Sequence, residues 1–248
     1  MVFETLLDPI FSPLLNLPTL VSVIILSFLI SLLITVIYKY TTDQNLMKQL
    51  KDEMKDSQKR IKELKSQPEK AMQLQKQAMQ SNMKYMKHSM KSTLYSFLPI
   101  ILIFGWMNAN FAYEPIFPNK DFATKIVFDG QANGFVDLSL PEGIKTKEPL
   151  KKEIKNSEVE WTLNGERGEY LIEYMFDGKK YGKQIVVSEK KYIEPVKKIN
   201  DGNVKTIEIV YNKKILFDIF GWKLGWLGTY IILALIFSIV IRKAMKVY

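Results

Sequence analysis

Polar and apolar positions follow three different patterns along this chain. In windows 19–38, 94–111 and 224–241 there is no Asp, Glu, Lys, Arg or His, although 25% of all residues are charged. A helix rises about 1.5 Å per residue and bilayer hydrocarbon is about 30 Å thick, so each window predicts a transmembrane helix. Between the first two windows the apolar period is helical. Over 43–66, Met47, Leu50, Met54, Ile61 and Leu64 occupy a and d positions. Ser57 interrupts that stripe, and Glu53, Lys55, Lys59, Arg60, Lys62 and Glu63 lie around it. Ser66-Gln67-Pro68-Glu69 then reads as a new helix start, with Ser66 as cap, Pro68 in the first turn and Glu69 completing a capping box. A second helix over about 69–91 leads into span two. Together the arms predict a helical hairpin, an antiparallel coiled coil continuous with spans one and two and about 36 Å long.

From about 120 to 215 the period is two. Strands are predicted over 125–128, 135–140, 159–163, 169–176, 183–188 and 204–211. Asp129-Gly130, Asn133-Gly134, Asn164-Gly165, Asp177-Gly178 and Asp201-Gly202 supply the turn chemistry. Such a count suggests a small β-sandwich, immunoglobulin-like in type, with Trp161 in its core. The lysine-rich stretch 141–156 reads as an exposed loop. The fold class expected is a mainly α membrane protein with three transmembrane helices, a cytoplasmic coiled-coil hairpin and an inserted extracytoplasmic all-β, sandwich-like domain. The segments are an N-terminal amphipathic stretch (1–18), span one (19–38), hairpin (39–93), span two (94–112), β domain (113–218), span three (219–241) and tail (242–248).

Charge sets the expected orientation. Thirteen basic and six acidic residues lie within 39–93, whereas 1–19 carries only Glu4 and Asp8, and the tail carries Arg242, Lys243 and Lys246. Basic short loops stay cytoplasmic. The hairpin and C-terminus are therefore expected inside, and the N-terminus and β domain outside. Trp106, Phe111, Tyr113, Trp222 and Trp226 fit an outer aromatic belt. The first 19 residues lack the basic n-region of a signal peptide, so span one is expected to remain.

Chemistry is constrained by what is missing. There is no cysteine and one histidine, His88, and no phosphate loop, nucleophile elbow or zinc-peptidase motif. No enzyme activity, catalytic residue, metal or cofactor is expected. Two stripes remain as candidates. Met72, Met79, Met83, Met86 and Met90 recur along one face of the second hairpin helix. They either fill the seam against the first helix or form an adaptable apolar surface, a use to which unbranched, polarisable methionine is suited. Lys84, Lys87, His88 and Lys91 beside them could meet RNA or anionic lipid, or simply be solvated. In span one, Ser22, Ser27, Ser31 and Thr35 form a hydroxyl stripe that serves either close helix packing or a mildly polar groove.

An outside N-terminus, a basic hairpin between spans one and two, and a third span resemble the YidC/Oxa-type insertase superfamily, most closely its archaeal three-span YidC-like proteins. The residues carrying the resemblance are Thr42-Asp43-Gln44-Asn45-Leu46-Met47-Lys48-Gln49-Leu50-Lys51-Asp52-Glu53-Met54, the Met-rich stretch 73–90, and Leu98-Pro99-Ile100-Ile101-Leu102-Ile103-Phe104-Gly105-Trp106. It covers 3–111 well, span three loosely and the β domain not at all. The resemblance implies a membrane protein insertase or chaperone whose partners are nascent membrane proteins and the lipid bilayer. The ribosome, reached through the basic hairpin, and a membrane-protein partner subunit are further candidates. In that mapping Ser22, Ser27, Ser31 and Thr35 line the groove, and the methionine helix receives the incoming segment. Bacterial members carry a positive charge in the groove, whereas here Lys39 stands only at the inner end of span one. The competing reading is a membrane-anchored receptor or structural subunit whose outer β domain binds a partner. An ion-conducting assembly ranks below both, because no span carries a charge.

Overall fold

A computed structural model describes residues 2–64, 67–130, 132–219 and 221–247. It divides into two units, Met1–Trp106 with Leu216–Tyr248, and Met107–Ile215. Among the described residues the first holds five α-helices, the last few residues of one of them running on into the second unit. α1 (Val2–Phe11) is followed by a 3-10 turn (Ser12–Asn16), and α2 (Thr19–Thr41) is the first apolar span. α3 (Gln44–Glu63) and α4 (Pro68–Phe111) form the hairpin, and α5 (Trp226–Ala244) is the last span. α2, α4 and α5 are long and apolar enough to cross a membrane.

The hairpin departs from the expected continuity on one side. α4 runs unbroken for 44 residues from the hairpin through span two, a length of about 66 Å. That is about twice the hydrocarbon thickness, so roughly half of it must stand clear of the bilayer core. α2 and α3 are separate helices. Thr42 is extended, and the Asp43 side chain accepts from the backbone N–H groups of Asn45 and Leu46, restarting the helix as an N-cap. The cap assigned to Ser66 lies outside the described residues.

α2 and α5 pack side by side. Phe28 meets Phe237 edge-on at 5.6 Å, and α2 buries Ser22, Val23, Leu26, Ser27, Ile30, Ser31, Thr35 and Tyr38. Phe104 of α4 packs edge-on against Trp226 at 5.7 Å and Tyr230 at 4.8 Å of α5. The fully buried Trp106 donates its indole N–H to Asp8 of α1 at 2.8 Å, with Phe11 against its ring. α5 begins at Trp226, later than expected. The residues before it form a hairpin of β10 (Phe217–Ile219) and β11 (Trp222–Leu224), and Gly221 turns at φ +87° with its N–H on Asp218.

The second unit is an antiparallel sandwich. One sheet orders β3 (Ile144–Lys145), β5 (Glu158–Gly165), β1 (Asp121–Phe128), β9 (Val204–Val210) and β8 (Val196–Asp201); the other orders β4 (Lys151–Glu153), β2 (Phe135–Ser139), β6 (Gly168–Phe176) and β7 (Lys179–Val187). Alternate residues of both sheets face inward around Trp161 and Tyr174, whose rings lie 5.8 Å apart; the Tyr174 hydroxyl bonds Thr124. All six predicted strands are present. The expected loop 141–156 contains β3 and β4, and β8 is additional. With β1 central between β5 and β9, the order differs from the ABED and CFG sheets of an immunoglobulin domain.

Side chains close the sandwich at its edges. Thr146 donates to the Thr162 carbonyl, Glu148 accepts the Thr162 N–H, and Lys152 donates to the Glu160 carbonyl at 2.7 Å. Across the opposite side, Lys197 donates to the Gly182 carbonyl, and the buried Lys183 to that of Glu194. Loss of hydration holds the Lys183 ammonium below the ordinary lysine range. Edges occupied in this way offer little to an added strand.

Candidate functional site

The hairpin face is set by two stripes on α4. Ala71, Leu74, Ala78, Ser81, Tyr85, Ser89, Ser92 and Ser96 are buried or half-buried, at spacings of three and four. On α3 and its C-cap the corresponding positions are Met47, Leu50, Met54, Ser57, Ile61 and Leu64. The helices meet where Ser81 donates to Glu53 at 3.0 Å and where both line a groove of about 560 Å³ beside Met54, Ile61 and Ala78. Small residues on α4 therefore oppose the larger apolar ones of α3.

The methionines do not fill this seam. Met72, Met79, Met83, Met86 and Met90 are between 60% and 68% exposed. Exposed apolar residues continue the same line as Leu94, Phe97 and Ile101. At about 100° per residue these eight positions fall within an arc of about 80°, turned mostly away from the seam, with Met79 also reaching the edge of the α3–α4 groove. Lys76 is the one charged residue inside the arc. An apolar strip thus runs along one helix from the outer half of the hairpin into the membrane span.

The hydroxyl stripe of α2 is placed differently. Ser22, Ser27, Ser31 and Thr35 are all buried. Ser27 donates to the Val23 carbonyl, Thr35 to that of Ser31 and Ser22 to that of Leu14, each at 2.7 Å. Hydroxyls bonded back to their own chain on a buried face serve close helix approach. Of the four, Ser31 borders an open space, a groove of about 300 Å³ shared with Ile34, Ala234, Leu235 and Ser238.

At the hairpin end of the spans the Tyr38 hydroxyl lies 3.2 Å from that of Tyr85, and Val247 is buried with Tyr38 and Met47. The Arg242 guanidinium lies over the Tyr38 ring, 5.0 Å from its centroid. Sequence reasoning had no signal for this cluster or for the Asp8–Trp106 bond, since their partners come from separate elements far apart in the chain. Among the described residues no group of His, Asp and Glu has metal-binding geometry.

Three apolar helices, one of them extended into a hairpin arm with an open methionine face, define an integral membrane protein that crosses the bilayer more than once. Comparison with the curated proteins and with the solved structures gives no match. The family of integral membrane proteins described as EMC3/TMCO1-like does match, over residues 4–141, which is more than half of the chain. The chain belongs to this family, and with it to the Oxa1/YidC/Get1-type insertase superfamily. The matched region takes in α1 to α4 and continues through β1 and β2, further than the resemblance over 3–111 anticipated; α5 lies beyond it.

Proposed function

We propose that this chain is a membrane protein insertase or chaperone that receives hydrophobic segments of nascent membrane proteins on the methionine face of α4. The observation carrying the reading is the continuity of that face. Beyond Lys76, a segment docked on Met79–Met90 meets no charged side chain in the strip before Leu94, Phe97 and Ile101, where lipid takes over as the surrounding medium. Methionine suits clients of varied sequence because it is unbranched and polarisable. Family membership supports a role in membrane insertion.

In this reading the basic hairpin and the C-terminal tail face the cytoplasm and the β domain lies outside, following the distribution of Lys and Arg. α3 and α4 act as an antiparallel coiled coil, and the chain is a three-span YidC-like protein of archaeal type. A mildly polar path past Ser22, Ser27, Ser31 and Thr35 requires α2 to turn or part from its neighbours, because those side chains are buried in its packed face. The work is done without covalent chemistry. The ribosome, through the hairpin lysines, and a membrane-protein partner subunit are its proposed assembly partners.

The test is photo-crosslinking with a probe at Met83 and a control probe at the exposed Lys62 of α3. Stalled ribosomes present a transmembrane segment of graded hydrophobicity. Adducts at Met83 that rise with hydrophobicity, and not at Lys62, support the reading. Nascent chains that crosslink at neither site would sink it and leave a receptor subunit acting through its β domain.

A further inference from the structure

The α2–α5 pair carries features that client docking does not use. Among the described residues the buried Nε of Arg242 has no hydrogen-bond partner, and an enclosed N–H of a cation is unfavourable without an acceptor. The guanidinium is held over Tyr38. Lys39, the next residue of α2, places its ammonium 3.3 Å from the Met245 carbonyl. Lys243 and Lys246 are exposed at the same helix end. Among the described residues no carboxylate pairs with Arg242 or Lys39. Cationic charge is therefore gathered at one end of two membrane helices with no carboxylate among the described residues to balance it.

The adjoining surface is apolar and concave. The groove of about 300 Å³ beside Ile34, Ala234, Leu235 and Ser238 lies on the same two helices. Ser238 precedes Arg242 by four residues, and Ile34 precedes Tyr38 by four, so the groove and the Arg242–Tyr38 pair share one face a single turn apart, with Lys39 next to Tyr38. The unbalanced cations state the charge of the occupant, and the groove states that hydrocarbon is attached to it.

We propose that this is a phospholipid site, with the headgroup phosphate on Arg242 and Lys39 and an acyl chain in the α2–α5 groove. Guanidinium binds phosphate oxygens through paired N–H donors, and basic pockets between transmembrane helices recognise anionic headgroups. Tyr38 holds the guanidinium in place through its ring face. A free phosphate would answer the charge and leave the groove empty; a lipid answers both.

The experiment is native mass spectrometry of the full-length, delipidated protein in detergent, titrated separately with phosphatidylglycerol, phosphatidylcholine and inorganic phosphate. One saturable phosphatidylglycerol per chain is expected, with weaker phosphatidylcholine binding and none for inorganic phosphate. R242Q should weaken phosphatidylglycerol binding about tenfold or more, and R242K, which keeps the charge but not the paired donors, should fall between R242Q and the wild type. A234F fills the groove without touching a cation and should weaken binding comparably, so the proposal stays decidable even where R242Q does not fold. Wild-type affinity in both R242Q and A234F overturns it. Inorganic phosphate competing as well as the lipid also overturns it, in favour of a free-anion site.

Discussion

Replacing Met79, Met83, Met86 and Met90 together by glutamine removes the apolar strip while keeping side-chain length and helix propensity close to native. Full burial of a methionine is worth about 1.5–3 kcal/mol. These side chains already have more than half of their surface open, and a docked helix covers about half of that. Each methionine then contributes about 0.5–1 kcal/mol to a client contact, and the four together about 2–4 kcal/mol, by the same area bookkeeping. At about 1.4 kcal/mol per tenfold, client engagement should fall by about 30-fold to several hundredfold. Engagement is read as crosslink yield between stalled nascent chains and a probe at Leu94, titrated with ribosome concentration. The melting temperature in detergent should change little, because each of the four side chains is at least 60% exposed. A parallel quadruple leucine variant should retain engagement. If the glutamine variant captures hydrophobic segments as well as the wild type, the strip is not the receiving surface.

D8A leaves the buried Trp106 indole N–H without its carboxylate, which should cost about 1–3 kcal/mol and lower the melting temperature in detergent; an unchanged melt refutes the bond's role. Tyr192 donates to the Asn108 carbonyl and accepts the Ala112 N–H, closing the last turn of α4. Y192F should speed hydrogen exchange at Ala112 by about tenfold or more, as expected for a lost bond of about 1.5 kcal/mol. Glu148 is held below the ordinary carboxylate range, chiefly by its bond from Lys152 and then by the Thr162 N–H. Its stabilising contribution is therefore present above the unfolded-state value and is lost as pH falls through the lower folded one. E148Q should flatten that part of the acid unfolding curve, and a curve identical to the wild type would count against the assignment.

The spans were legible because a charge-free run of that length rarely arises outside a membrane helix. The six main strands were legible because each has one buried face and one wet face. β4, Lys151–Glu153, and β8, Val196–Asp201, are edge strands with little burial, so no alternation marks them. The break at Asp43 depends on a side chain turning to its own backbone, which an apolar period does not register. The methionine period was visible in the sequence, but its direction was not. What turned it outward is the Ala and Ser stripe on the opposite side of α4, residues that hydropathy scores as unremarkable and that close packing prefers. Contacts such as Asp8–Trp106 have no local signature at all.

The chain enters and leaves the β unit along two paired segments. Tyr113 bridges Lys213, the Glu114 N–H bonds the Asn212 carbonyl, and the Lys214 N–H bonds that of Ala112. Residues about a hundred positions apart are thus already neighbours, as the two ends of a hairpin are. Closing a long loop costs only slightly more free energy than closing a short one. A lineage could therefore gain or lose everything between Glu114 and Asn212, replacing it with a tight turn, without redesigning the connection from α4 to the residues that follow. The place where such an exchange would leave the backbone undisturbed is marked by two backbone hydrogen bonds.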